Sequence, residues 1–141
     1  MRILGLDVGR RRIGVAISDP SRTLARPMTT LTLDAGDDGV ARAAETIARV
    51  ASEEDGLTTI VVGMPHRLDG SPDAETPRVQ AFIRALQART NVPIVAEDER
   101  LSSREAESRL ALNERDWRKR KPRLDAAAAA VILQDYLDRQ A

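Results

Sequence analysis

Apolar residues in the first third of the chain sit in short blocks broken by turn residues, whereas later ones recur every three or four positions, so strands precede helices. Ile3, Leu4, Leu6 and Val8 predict a mostly buried strand, positions 9–12 a tight turn, and positions 13–17 a second strand returning beside the first. Asp19-Pro20-Ser21-Arg22 turns the chain into a third strand over 23–33, interrupted at Pro27, which favours a sheet edge. From Asp38 the period becomes helical, with Val40, Ala44, Ile47, Ala48 and Ala51 on one face and a stop at Asp55-Gly56. Positions 58–62 are apolar and β-branched, a fourth strand in the sheet interior that ends at Gly63-Met64-Pro65.

Turn chemistry then fills 66–77, with Asp69-Gly70 and Ser71-Pro72, and Thr76-Pro77 predicts an N-cap and first helical residue. The helix that follows buries Val79, Phe82, Ile83 and Leu86 and leads into a fifth strand over 94–97. Ser102 and Glu105 form a capping box for a short helix with Ala106 and Leu110 facing inward. A basic loop over 113–123 precedes a last helix from about Leu124, whose alanines at 126–130 permit close approach to the sheet while Val131, Ile132, Leu133 and Leu137 fill the core. Meandering strands followed by helix-strand units make an α/β fold, a mixed sheet flanked by helices.

Length and composition narrow the function classes. A chain of 141 residues predicts one domain over 1–141, burying about 68% of the surface its unfolded form exposes. The absence of cysteine removes disulfides, thiolate zinc sites and a cysteine nucleophile, and suits a reducing compartment. No export signal or membrane span is read at either end, which predicts a soluble intracellular protein. Formal charge balances at zero, so affinity for a polyanion must come from local concentration of charge. Such concentration exists: positions 113–123 are strongly basic, and nearly all positive charge in the chain is arginine, whose planar fork suits bidentate phosphate contact. Phe82, Trp117 and Tyr136 are the whole aromatic complement, too few for a base-stacking platform.

Asp7 lies near the end of the first strand, where burial without a counter-charge would cost several kcal/mol, so a cation is expected beside it. A metal ion satisfies that need, and so does any of Arg10, Arg11 and Arg12; a phosphate-binding turn and a structural aspartate fit the same pattern. Asp98 and Glu99 follow the fifth strand and Asp125 opens the last helix. Parallel strands one and five export their acids to one carboxyl edge, where open α/β sheets place their sites. Carboxylates gathered there repel unless divalent cations sit among them, and hard oxygen donors select Mg²⁺ or Mn²⁺. Two such ions about 4 Å apart serve in-line phosphodiester hydrolysis. Each acid also has a plain structural use: Asp125 as a helix-start residue, and Asp98 and Glu99 as surface charges paired with Arg100 and Arg104. His66 reads as a loop residue close to the same edge, and Trp117 as a packing anchor in the basic loop or a wedge into unstacked nucleic acid.

Taken in order, Asp7-Val-Gly-Arg-Arg-Arg-Ile-Gly-Val-Ala, Val62-Gly-Met-Pro with Asp69-Gly70, Asp98-Glu-Arg-Leu-Ser, and Lys121 followed by Asp125-Ala-Ala-Ala-Ala-Ala resemble the YqgF/RuvX family of RNase H-like nucleases. The resemblance spans essentially the whole chain. It implies an RNase H-like fold with strand order 3-2-1-4-5, a cytoplasmic bacterial location, and either Holliday junction resolution or 5′-end maturation of pre-16S rRNA. It assigns catalysis and metal binding to Asp7, to Asp98 or Glu99, and to Asp125, with Mg²⁺ or Mn²⁺ as cofactor, most simply as a two-metal site. RuvC-like enzymes carry a glutamate on the fourth strand where this chain has Gly63, so the second acid must come from Asp98 or Glu99. Nucleic-acid phosphates fall to Arg10, Arg11, Arg12, Arg100, Arg115, Arg118, Lys119, Arg120, Lys121 and Arg123. Partners are branched DNA or precursor rRNA, with no membrane; symmetrical junction cutting would call for a homodimer.

Two other classes share some of these features. A nucleotide-binding domain of the actin and sugar-kinase type also begins Asp-x-Gly before a phosphate-gripping turn, but normally needs a second lobe to enclose ATP. A catalytically silent ribosome-assembly factor would bind nucleic acid in a salt-dependent way without turnover.

Overall fold

A computed structural model describes residues 1–66, 69–98 and 117–141, and of 117–124 the backbone alone. Five strands, β1 (Arg2–Val8), β2 (Arg12–Ser18), β3 (Ala25–Thr32), β4 (Leu57–Met64) and β5 (Ile94–Asp98), form one sheet in the order β3-β2-β1-β4-β5. β1 and β2 pair antiparallel, as do β2 and β3, while β4 lies parallel to β1 and β5 parallel to β4. This is the mixed sheet and strand order that the motifs imply.

The three inner strands β2, β1 and β4 alternate between two packed faces. Leu4, Leu6, Ile13, Val15, Ile60 and Val62 form a core with Ile47 and Val50 of α1 (Val40–Ala51) and Val79, Phe82 and Leu86 of α2 (Thr76–Gln87). On the reverse face Ile3, Ala16 and Val61 pack against Ala129, Ile132, Leu133 and Leu137 of α3 (Trp117–Gln140). Small residues on that face let α3 approach closely: a Cβ on Gly5 would lie 2.9 Å from the Leu133 Cβ, and one on Gly14 only 1.9 Å from the Asp125 carbonyl oxygen.

Several expectations need correcting. β3 is shorter than 23–33; Pro27 does lie on the edge strand as expected, beside a bulge, since Val15 pairs with Thr29 and Ala16 with Pro27, leaving Met28 as the extra residue. On α1 the buried set is Val40, Ala43, Thr46, Ile47 and Val50, whereas Ala48 is exposed, because a run of alanines gives the helical period little contrast. Thr76 is the first residue of α2 and not its cap; Asp73 Oδ1 accepts the backbone N–H groups of Glu75 at 2.8 Å and Thr76 at 3.0 Å instead. α3 begins at Trp117, within the expected basic loop, so Asp125 lies in the body of the helix. Glu99, Arg100, Arg115 and the Ser102–Glu105 box fall outside the described residues, as do the side chains of Trp117, Arg118, Lys119, Arg120, Lys121 and Arg123.

Candidate active site

Asp7 is the penultimate residue of β1 and shares the α3 face with Ile3 and Gly5. Its register partner on β2 is Gly14, over which the backbone of Asp125 passes. The same result follows by counting. From Gly5 to Asp7 the strand advances about 6.6 Å, while from Ala129, which touches Gly5, one helical turn back to Asp125 covers about 6 Å. Asp7 and Asp125 thus stand at one level on one face of the sheet. With α3 continuous through this point, the helix-start explanation of Asp125 no longer applies.

The cation expected beside the acids is in part protein. Arg12, at the start of β2, places Nε 3.3 Å from Asp125 Oδ2, with both side chains largely covered at 19% and 28% exposure. Arg10 turns the other way: its Nε and Nη2 donate to Glu75 Oε1 at 3.0 and 2.7 Å. Arg78 donates from Nε to Glu75 Oε2 and from Nη2 to the Val8 carbonyl at 3.0 Å, which ties α2 to the end of β1 next to Asp7. The arginine hydrogen bonds, Arg10 first and Arg78 second, hold the Glu75 carboxyl below its usual range. Arg78 and Glu75 carry no sequence signal; an exposed arginine and glutamate three apart on a helix look like any surface pair.

Gly9, Arg10, Arg11, Arg12, Glu75, Arg78 and Asp125 line an open cleft of about 400 Å³. A larger hollow of about 640 Å³ lies across the same turn, bounded by positions 33–38 and Phe82, and neither Asp7 nor Asp125 reaches it.

The β5 acids divide between faces. Glu97 is in register with Gly63 on the α3 face, buried and ion-paired with Arg139. Asp98 pairs with Met64 on the α1–α2 face, 3.9 Å from His66 Nδ1, which also lies 3.1 Å from the Met64 carbonyl oxygen. Among the described residues no three His, Cys, Asp or Glu side chains lie close enough to hold a metal ion. What they do provide is two hard oxygen donors, Asp7 and Asp125, the donor type that suits Mg²⁺ or Mn²⁺.

Residues 1–139 match the RuvX family, described as Holliday junction resolvase. The chain belongs to the RuvX family. A relative from Chloroflexus aggregans, named "Putative pre-16S rRNA nuclease", is 43% identical over 136 residues, covering 96% of this chain and 92% of the relative. Among solved structures, Thermus thermophilus RuvC in complex with a Holliday junction substrate superposes with a TM-score of 0.59 at 16% identity, covering 99% of this chain and 95% of RuvC. The fowlpox virus resolvase, also in complex with Holliday junction DNA, gives 0.62 at 12% identity and 99% coverage of both chains. These likenesses identify the RuvX sheet and its helices as an RNase H-like fold. No helix among the described residues is long and apolar enough to cross a membrane.

Proposed function

We propose that this RuvX chain is a metal-dependent endonuclease that hydrolyses phosphodiester bonds in structured nucleic acid, a branched DNA or a precursor of 16S rRNA. The observation that supports the reading is the placement of Asp7 and Asp125 at one level on one sheet face beside an arginine-rich turn. Membership of a family described as a resolvase, with a relative named for pre-16S rRNA cleavage, supports it.

Asp7 and Asp125, with Glu99 or Asp98, would hold Mg²⁺ or Mn²⁺. Such ions, when bound, lend Lewis acidity to a phosphodiester and lower the pKa of a water. The protein's own groups do the remaining work. Arg12 lies against Asp125, with Nε 3.3 Å from Oδ2, and fixes the carboxylate from that side. Arg78 braces the end of β1 through the Val8 carbonyl, so the backbone that carries Asp7 is held while substrate binds. Arg10, Arg11 and the basic run over 115–123 attract the phosphate backbone, a sequence-independent attraction suited to a substrate recognised by shape.

The decisive test is Asp7→Asn. Cleavage of a four-way DNA junction or a precursor rRNA in Mn²⁺ should fall to background while binding, measured by fluorescence anisotropy, stays within about twofold, since asparagine keeps the shape and loses the charge. Normal cleavage by this variant would overturn the assignment. Running both substrates side by side separates the two physiological roles.

A further inference from the structure

Two guanidinium groups from distant parts of the chain converge on one exposed carboxylate at the edge of the cleft. Arg10, on the β1–β2 turn, presents two N–H donors to Glu75 Oε1, and Arg78, on α2, presents one to Oε2. Arg78 is also anchored to the Val8 carbonyl, so its orientation does not depend on Glu75. The demand these donors make is for a planar pair of anionic oxygens. The two non-bridging oxygens of a phosphodiester meet it as well as a carboxylate does.

Nothing in the local fold requires the Glu75 carboxylate to stay there. Glu75 is the residue before α2, yet its side chain makes no capping hydrogen bond to the helix. That task belongs to Asp73, which accepts the N–H groups of Glu75 and Thr76. The Glu75 side chain is one-third exposed and can rotate into solvent while the helix start remains intact. The position also matters: the cleft is shared with Asp125 and with the turn that follows Asp7, so a strand lying along it toward those acids must pass the two arginines.

We infer that Arg10 and Arg78 form a phosphodiester-binding fork that Glu75 fills in the free protein and vacates when a nucleic-acid phosphate arrives. The carboxylate keeps the two guanidinium groups aligned, and it also taxes every polyanion that competes for them, so only a substrate with enough other contacts displaces it. This site builds on the nuclease reading and adds Arg78 and Glu75 to the nucleic-acid surface.

The test is the salt dependence of binding to a fluorescent four-way DNA junction, measured by anisotropy in EDTA on the full chain. Glu75→Gln removes the competing charge, so binding should tighten and the slope of log K against log salt should steepen by about one. Adding Arg10→Gln to Glu75→Gln should return the slope to the wild-type value. Glu75→Ala gives an independent route to the same gain, and thermal unfolding checks that each variant folds. If the wild type binds and neither Glu75 variant differs from it, the fork is wrong and the nuclease reading survives. If neither the wild type nor the variants bind the junction or a fluorescent precursor-rRNA fragment run beside it, both fall; binding by the Glu75 variants alone supports the fork directly.

Discussion

Replacing Gly14 with alanine puts a methyl group where α3 has no room for it. The new carbon would lie 1.9 Å from the Asp125 carbonyl oxygen, 2.3 Å from its carbonyl carbon and 2.9 Å from the Ala126 nitrogen. A relaxed contact is about 3.5 Å, and all three atoms are backbone, so no rotamer change relieves the overlap. Either α3 retreats by about 1.5 Å or the β1–β2 hairpin bends away. The first movement loosens Ala129, Ile132 and Leu133 from Ile3, Ala16 and Val61; the second strains the strand that holds Asp7. Overpacking costs about 1–3 kcal/mol, and an overlap with fixed backbone belongs at the upper end. In a chain of this size about 3 kcal/mol lowers Tm by about 10 °C. Activity should suffer beyond stability, because any retreat of α3 carries Asp125 away from Asp7, and a misplacement of about 1 Å can cost about 100-fold in rate. Gly5→Ala is the control: its nearest contacts are 2.9 Å to the Leu133 Cβ and 3.2 Å to the Ala129 oxygen, so the strain is milder and lies a turn from Asp125. Thermal unfolding of both variants, with cleavage assayed well below either Tm, should rank Gly14→Ala as the worse on both counts. A Gly14→Ala protein with Tm within about 2 °C of wild type and full activity would mean that α3 is not seated on the hairpin as described.

Two further outcomes are expected. The Asp19 carboxylate accepts the Ser21 hydroxyl and the backbone N–H groups of Leu24 and Thr23, and these bonds, with Ser21 the largest cause, hold its pKa well below the ordinary 3.8. Its contribution to stability is therefore complete above about pH 4 and is lost as pH falls toward the depressed folded value; urea titrations of Asp19→Asn and wild type should differ at neutral pH and converge in strong acid, and a constant difference would refute the turn's dependence on that charge. Neutralising Arg118 and Lys119 together should flatten the salt dependence of nucleic-acid binding by roughly two units of log slope, and an unchanged slope would remove that basic run from the interface.

The sheet was legible because its signal is local and strong. Ile3 to Val8 and Ile13 to Ile17 alternate around turn residues, and Pro27 marks an edge wherever it falls in a strand. Legibility failed where the deciding contact lies far along the chain or where residues carry little contrast. The α1 face was misread by a fraction of a turn because alanine fills both its buried and exposed sides. The basic run over 113–123 read as a loop, yet α3 starts within it at Trp117 and continues through Pro122. Asp7 stood out as an acid in an apolar strand and Asp125 as the acid heading an alanine run, whereas Glu75 and Arg78 act with Arg10 and the Val8 carbonyl, 65 and 70 residues away. No periodicity encodes such a meeting.

The same distinction bears on the third acid. Alternation along the fifth strand already puts Asp98 and Glu99 on opposite faces and tips the sequence reading toward Glu99, and the register shows which face Asp98 takes. Asp7, Gly63 and Glu97 belong to the α3 face, with Gly63 and Glu97 in register, while Asp98 turns with Met64 toward α1 and α2, beside His66. Glu97 has the right face but is already committed to Arg139. An acid serving the ions that we assign to Asp7 and Asp125 must reach the α3 side of the sheet, and Asp98 could do so only by passing around the strand end. That asymmetry sets Asp98 apart from Asp7 and Asp125 and leaves it 3.9 Å from His66 Nδ1.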